Sequence, residues 1–139
     1  MKTIGYWVAT GLSALLILYS GALDLTRAPD VVVGLAHLGY PAYLATLLGV
    51  WKVLGAIAIV VPRFPRLKEW AYAGLAFDLT GAAVSHAASG DPVANIVTPL
   101  VILGVIVASW VLRPDSRRLA TMAPLRAGSD VGVAAVAVT

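Results

Sequence analysis

Four apolar segments, each close to the length of a membrane span, divide the chain. Short polar or proline-containing stretches separate them. Each segment is near the ~20 residues that a helix needs to cross the hydrocarbon core of a bilayer. The pattern therefore predicts an all-α integral membrane protein built as a four-helix bundle. The predicted spans cover about residues 4–23, 43–61, 70–88 and 92–112.

The proline positions and the connections agree with this division. Pro92 precedes a predicted helix start, where a missing N–H group costs little, and Pro62 follows a predicted helix end. The connection over residues 24–42 is long, and its apolar run at residues 31–38 predicts a short interfacial or re-entrant helix. Residues 114–139 are expected to form a basic, disordered cytoplasmic tail.

The composition favours lipid rather than water as the surrounding solvent. Of the 139 residues, 60% are hydrophobic and 12% are charged, whereas a soluble domain is nearer half apolar and a quarter charged. The chain has no cysteine, which excludes a disulfide, a thiolate metal site and a cysteine nucleophile. We see no nucleotide-binding motif and no usual metal-ligand spacing, so no cofactor and no metal are predicted.

The basic residues fall on one side of the four predicted spans, and only Arg27 falls on the other. Because cytoplasmic loops carry an excess of Lys and Arg, both termini and the second connection are expected to face the cytoplasm. The same topology explains the net charge of +3 without nucleic-acid binding. The basic residues on the predicted cytoplasmic side are Lys2, Arg63, Arg66, Lys68, Arg113, Arg117, Arg118 and Arg126.

The beginning of the chain also fits a secretory signal peptide, because Lys2 precedes an apolar run. The apolar run over residues 4–23 has the length of a full span and exceeds the apolar region of a signal peptide. We therefore expect an uncleaved first helix.

Two ionisable residues lie near the middle of predicted spans, Lys52 in the second and Asp78 in the third. A charge at the bilayer centre costs about 2.5–3.5 kcal/mol on insertion scales, so neither is expected to face lipid. Both lie at a similar distance from the connection between their helices, which predicts a Lys52–Asp78 pair at one depth. The pair is either a site that binds or moves a proton or a structural salt bridge that fixes the register. Trp51, beside Lys52, is expected to line a cavity or face lipid.

A second group of polar residues falls near the outer ends of the predicted spans. Histidine titrates near neutral pH, so such a group can exchange protons or bind a ligand at the mouth of the bundle. Ordinary interfacial histidines are the alternative, and a paired metal site is less favoured. The expected cluster consists of Asp24, His37, Tyr40, Ser85 and His86.

An ordered series of motifs resembles the DoxX-like family. The resemblance covers about Tyr6 to Leu112 and rests on HLGYP at residues 37–41, GVWKVLG at 49–55, PRFPRLKEWAYAG at 62–74, FDLTGA at 77–82 and SH at 85–86. It implies a small four-helix bundle of the inner membrane. It also implies motif positions at His37, Tyr40, Pro41, Lys52, Glu69, Trp70, Asp78, Ser85 and His86.

The resemblance implies little about activity, because the family is functionally mixed. It includes a subunit of a quinone-linked thiosulfate oxidoreductase, partners of oxidative-stress proteins, and animal assembly chaperones for receptors. The alternatives that follow are a non-catalytic membrane subunit or assembly partner of a quinone-linked redox or stress-response complex, and a homo-oligomer. In such a protein, the basic loop Arg63–Lys68 would dock a cytoplasmic partner.

The residues favour a different function, in which the bundle binds a small lipophilic molecule such as a quinone, terpenoid or polyketide. Burial and a charged neighbour are what tune acid–base groups, so an isomerase or epoxide-opening enzyme without cofactor is one hypothesis. A proton or solute transporter is less favoured, because no inverted repeat is visible. The predicted catalytic residues are Asp78, Lys52 and His86, and the predicted ligand-binding residues are Asp24, His37, Tyr40, Trp51 and Ser85.

Overall fold

A computed structural model describes residues 1–119, and this part of the chain is helical without any strand. The all-α class is therefore confirmed. Residues 120–139, with Arg126 and most of the predicted disordered tail, lie outside the described residues. The helices are α1 (Lys2–Leu25), α2 (Pro29–His37), α3 (Tyr43–Val60), α4 (Pro65–Ala88) and α5 (Val93–Val111), followed by a 3₁₀ turn at Asp115–Arg117.

Among the described residues, three helices are long and apolar enough to cross a membrane: α1, α3 and α5. Helix α4 has the same length as α1, 24 residues. It is more polar because its first turns are charged and because it carries Asp78 and His86. The predicted spans at residues 4–23, 43–61 and 92–112 thus agree with helices able to cross a membrane, while the predicted span at residues 70–88, within α4, stays a prediction.

The four long helices contact one another in a closed order. Helix α1 packs on α3 and α5, α4 packs on α5 and α3, and the short α2 packs on α3. Large apolar side chains such as Leu15, Trp70 and Val101 point outward, as expected for helices in contact with lipid. The apolar centre is formed by Ala14, Ile17, Ala56, Ile59, Tyr72, Leu75, Leu79 and Ile106.

Helices α1 and α3 approach each other closely at two glycines. A Cβ atom at Gly49 would lie 2.8 Å from the backbone nitrogen of Leu25 and 2.9 Å from the carbonyl oxygen of Gly21. A Cβ atom at Gly21 would lie 3.1 Å from the Cβ of Lys52. Small residues permit this contact between backbones, and the contact brings the C-terminal end of α1 beside the middle of α3.

The connection between α3 and α4 is shorter than the predicted loop, because α4 already begins at Pro65. Lys68 is fully buried in the first turns of α4. Its ammonium donates to the carbonyl oxygens of Ala58 and Ile59, both at 2.9 Å, and to that of Val61. These bonds satisfy carbonyl groups that the C-terminal end of a helix leaves without partners. The placement of Lys68 in the loop between the two helices is therefore wrong, since Lys68 lies within α4.

At the end of the molecule where Lys68 lies, a buried layer of hydroxyl groups joins α1, α4 and α5. The hydroxyl of Ser109 shares hydrogen bonds with Thr10 at 2.6 Å and with Tyr72 at 2.8 Å. Arg113 lies over the Tyr72 ring and donates to Glu69 at 2.7 Å. These contacts fix the helices on which the candidate site depends.

Candidate functional site

Lys52 lies at the centre of a polar network that joins three helices. Its Nζ donates to Asp24 Oδ2 on α1 at 2.8 Å and to Ser20 Oγ at 3.1 Å. Asp78 Oδ2 on α4 is 3.7 Å from the same nitrogen. The predicted Lys52–Asp78 pair is thus present as the looser contact, whereas Asp24 is the nearer partner of Lys52. We call Asp24, Lys52 and Asp78 the charged triad.

The sequence carries a signal for Asp24 as the partner of Lys52. Ser20 and Asp24 are four positions apart and therefore share one face of α1. Gly21, on the same face, meets Gly49 of α3. The short connection between α3 and α4 sets the depth of Asp78 relative to Lys52, but it does not set the position of any residue of α1. Asp24 consequently belongs to the charged triad and not to the outer cluster in which it was expected.

The charged triad is largely shielded from solvent, and some of its hydrogen-bonding groups have no partner among the described residues. The side chains of Lys52, Asp24 and Asp78 are 15%, 9% and 19% exposed. An ammonium has three N–H donors, and Lys52 uses two of them on Ser20 and Asp24. Asp78 accepts no hydrogen bond from any residue within 1–119, since 3.7 Å exceeds hydrogen-bond distance. One donor and the Asp78 oxygens therefore remain available.

A cleft of about 600 Å³ opens between α3 and α4 beside Lys52 and Asp78. This volume lies in the range of small-molecule sites. Small residues keep the space between the helices open, and three aromatic side chains, Trp51, Trp70 and Phe77, flank it while remaining 65%, 80% and 78% exposed. We call this space the α3–α4 cleft; its lining includes Trp51, Lys52, Gly55, Ala58, Trp70, Gly74, Phe77 and Asp78.

The other predicted site residues meet at the opposite end of the molecule from Lys68. His37 Nε2 and His86 Nδ1 each donate to one carboxylate oxygen of Asp91, at 2.7 and 2.6 Å. The hydroxyls of Tyr40 and Ser85 share a hydrogen bond of 2.9 Å. Asp91, which the sequence did not single out, is thus the centre of this cluster. The His37–Asp91 contact attaches α2 to the α4–α5 connection, and the Tyr40–Ser85 contact attaches the segment after α2 to α4.

The hydrogen bonds from His86 and His37 hold the pKa of the Asp91 carboxyl below its ordinary value. The carboxyl therefore stabilises the folded chain fully above its ordinary pKa, and this contribution is lost as the pH falls through the lowered value. Within residues 1–119, no three His, Asp or Glu side chains are arranged to hold a metal ion. The cluster is consistent with a structural attachment of α2.

The structure does not bring His86 to the other two predicted catalytic residues. His86 is eight positions beyond Asp78 on α4, which corresponds to about 12 Å along a helix. It does not line the α3–α4 cleft. Of the predicted site residues, three line the cleft: Trp51, Lys52 and Asp78. Asp24 accepts a hydrogen bond from Lys52 on the side of α1. The remaining four lie in the outer cluster: His37, Tyr40, Ser85 and His86.

A family model described as the DoxX-like family matches residues 8–109, most of the chain and of its five α-helices. The chain therefore belongs to the DoxX-like family, and the resemblance inferred from the motifs is confirmed. Comparisons with curated proteins and with solved structures gave no significant match.

Proposed function

We propose that this DoxX-like membrane protein binds a small lipophilic molecule in the α3–α4 cleft, with the polar end of the molecule at Lys52 and Asp78. One observation supports this most strongly: an apolar cleft of about 600 Å³ lies directly beside two ionisable side chains. Ionisable residues within membrane segments are costly and usually functional. A purely structural salt bridge would not require an adjoining cleft.

The proposal includes a topology in which α4 also crosses the membrane, as the third of four spans. The chain lies in the inner membrane, with both termini facing the cytoplasm. Helix α4 has 24 residues and packs between α3 and α5. Its mid-helix charge, Asp78, is turned toward Lys52. The concentration of basic residues on one side supports the orientation.

Single cysteines test this topology cleanly, because the chain contains none. Pro62 and Ser89 are exposed and lie on either side of α4. In intact cells, a membrane-impermeant maleimide should label Ser89→Cys, whereas Pro62→Cys should react only after the membrane is opened. Labelling of both positions from the same side would show that α4 does not cross the membrane.

The binding proposal predicts that filling the cleft abolishes ligand binding. Gly74 lines the cleft, and a Cβ atom there would meet no atom within 4 Å, so Gly74→Leu should occupy the cleft without disturbing the helices. The measurement is saturable quenching of tryptophan fluorescence by a bromine-tagged dodecanol in nanodiscs, because Trp51 and Trp70 flank the cleft. We expect saturable quenching in the wild type and its loss in Gly74→Leu.

Gly81→Leu is the matched control for this variant. Gly81 lies on the same helix, also has open space around its Cβ position and does not line the cleft. It should bind the probe like the wild type. Equal binding by Gly74→Leu and Gly81→Leu would place the probe elsewhere on the molecule and refute the proposed site.

The same geometry supports acid–base chemistry on the bound molecule. A carboxylate in an apolar cleft can remove a proton from the carbon beside an enone carbonyl and return it to another carbon of the ligand. In its protonated form it can give its proton to an epoxide oxygen as a C–O bond breaks, and then take a proton from the neighbouring carbon, which leaves an allylic alcohol and restores the acid. The adjacent Lys52 ammonium would stabilise negative charge that develops on a ligand oxygen. Asp78 is the group proposed to exchange the proton, and Lys52 is its electrostatic partner.

For a lipophilic alcohol that also carries an epoxide or an enone and that the wild type converts, Asp78→Asn should lower turnover by about 100-fold or more, since it removes the proton-transferring group. Product formation by the purified protein in nanodiscs measures this, with probe binding as the test of folding. Full turnover by a folded Asp78→Asn variant would contradict the catalytic assignment while leaving the binding proposal intact.

The second candidate is a non-catalytic membrane subunit or assembly partner. The observation that favours it is the exposure of Trp51, Trp70 and Phe77 along one face, since a helix of another protein could cover aromatic side chains there. Co-purification after mild solubilisation tests this candidate. A partner helix that protects these residues would support it, whereas a preparation of this chain alone that binds the lipophilic probe would favour the first proposal.

A further inference from the structure

We infer that the α3–α4 cleft selects a neutral lipophile that carries a hydroxyl group at one end. The inference rests on the proposed function and deepens it by naming the chemical group that the site recognises. It follows from the hydrogen-bonding groups that the charged triad leaves unused and from the apolar lining beside it.

The unused groups at the polar end of the cleft are one donor and one set of acceptors. Lys52 gives two of its three N–H groups to Ser20 and Asp24. Asp78 receives no hydrogen bond from the described part of the chain, and its Oδ2 is 3.7 Å from the Lys52 nitrogen. Both side chains line the cleft. A hydroxyl group can accept from Lys52 and donate to Asp78 at once, and it therefore satisfies both.

Other ligand groups satisfy the site less completely. An ether or a ketone only accepts, so Asp78 would lose exposure to water without gaining a hydrogen bond, and an unmade bond of this kind is costly. A fatty-acid carboxylate would add a third acidic group beside a single ammonium. A lipophilic ammonium would balance the charge of the second carboxylate, but it only donates. The spare N–H group of Lys52 would therefore stay unpaired, and two ammonium groups would lie close to each other.

The position of Asp24 makes this selectivity a property of the fold. Asp24 is 9% exposed and pairs with Lys52 at 2.8 Å from the side of α1, and it does not line the cleft. Because Asp24 already neutralises the ammonium at hydrogen-bond distance, Asp78 is free to face a ligand. Asp24 is thus a positioning residue for Lys52, and Asp78 is the group that distinguishes hydroxyl from ether.

The lining beyond the triad suits an extended apolar body. From Asp78 to Leu67, both of which line the cleft, α4 runs eleven positions, about 16 Å along the helix axis. Gly55, Ala58 and Gly74 leave room along this length. A molecule with one polar end and an apolar body therefore fits with its hydroxyl at the triad and its body directed toward Leu67.

The test is a competition series against the bromine-tagged dodecanol, with the full chain in nanodiscs. The competitors are dodecanol, dodecyl methyl ether, dodecanoate and dodecylamine, which share one chain length and differ in the end group. We expect dodecanol to displace the probe at a concentration about 10-fold lower than the ether, the difference that one hydrogen bond to a charged group provides. Dodecanoate and dodecylamine should compete more weakly than dodecanol.

Asp78→Leu, which has a similar size but no acceptor, should bind dodecanol and the ether equally. If this variant does not fold, the competitor series on the wild type decides alone. Equal or tighter binding of the ether, the acid or the amine by the wild type would overturn the inference. So would an alcohol preference that survives in a folded Asp78→Leu.

These failures are distinguishable from a failure of the proposed function. If the probe binds saturably and Gly74→Leu abolishes its binding, the cleft is a binding site whatever the order of the competitors. If the wild type shows no saturable quenching, the proposed function is wrong, and the inferred hydroxyl preference is then wrong as well.

Discussion

Lys52→Met should destabilise the protein by about 3–5 kcal/mol, the cost of leaving a buried charge without its partner. Removing the ammonium leaves Asp24, which is 9% exposed, without its 2.8 Å partner. It also leaves the carboxylates of Asp24 and Asp78 without the cation that both of them contact. The free energy of unfolding in detergent micelles, measured by denaturant titration followed by helical circular dichroism, checks this value.

Two further variants separate this explanation from a general effect of losing a lysine. Lys2→Met changes an exposed residue at the start of α1 and should leave stability within about 0.5 kcal/mol of the wild type. Adding Asp24→Asn to Lys52→Met removes the unpaired charge and should restore part of the loss. A Lys52→Met variant as stable as Lys2→Met would show that the charged triad does not hold the helices together.

Gly49→Ala should cost about 1–3 kcal/mol, as expected when an extra carbon is forced into a packed contact. The added atom would lie within 3 Å of backbone atoms of both Leu25 and Gly21, and backbone cannot move aside as a flexible side chain can. Helices α1 and α3 would have to separate, which would also draw Asp24 away from Lys52. The same unfolding measurement applies.

Gly11→Ala is the control for this second variant. Gly11 lies in the interior of α1, and a Cβ atom there would meet nothing within 4 Å. Because alanine has a higher helix propensity than glycine by about 1 kcal/mol, Gly11→Ala should be neutral or stabilising. If Gly49→Ala behaves in the same way, the close contact of α1 with α3 is not a constraint on the fold.

In the proposed function, Asp24 and Asp78 have different roles: Asp24 positions Lys52, and Asp78 faces the ligand. Asp24 and Ser20 hold the Lys52 side chain by hydrogen bonds from α1. The stability of the helix contact therefore does not require Asp78 to pair tightly with Lys52. Asp78 is left at the edge of an apolar cleft with unused acceptors. A site of this kind can receive a polar group at a depth where water is scarce, which is where a lipophilic molecule would present one.

Much of the fold follows from the sequence because apolar run length and proline position determine where helices form. The predicted start of α3 at residue 43 agrees with Tyr43–Val60, and the short helix in the first connection appears as Pro29–His37. Helix α4 begins at Pro65, five residues before the predicted span, because the charged residues of its first turn interrupt the apolar run. Lys68 belongs to the helix since its long side chain reaches back to the carbonyl groups at the end of α3.

The candidate site was only partly predictable, for a physical reason. Chain connectivity sets the relative depth of residues on helices joined by a short turn, which is why Lys52 and Asp78 were placed together. It does not set which helices pack through the long first connection, so the partnership of Asp24 with Lys52 depended on the Gly21–Gly49 contact. The role of Asp91 between His37 and His86 likewise depends on how α2 folds back.

Photolabelling by a diazirine-bearing dodecanol, followed by mass spectrometry of the labelled peptides, tests the occupied α3–α4 cleft most directly. Adducts should concentrate on residues that line the cleft on both helices, including Trp51, Leu54, Trp70 and Phe77. Excess dodecanol should suppress them, and Gly74→Leu should abolish them. Adducts spread over outward residues such as Leu15 of α1 and Val101 of α5, insensitive to both competitor and variant, would show that the molecule meets only the lipid-facing surface and does not occupy the cleft.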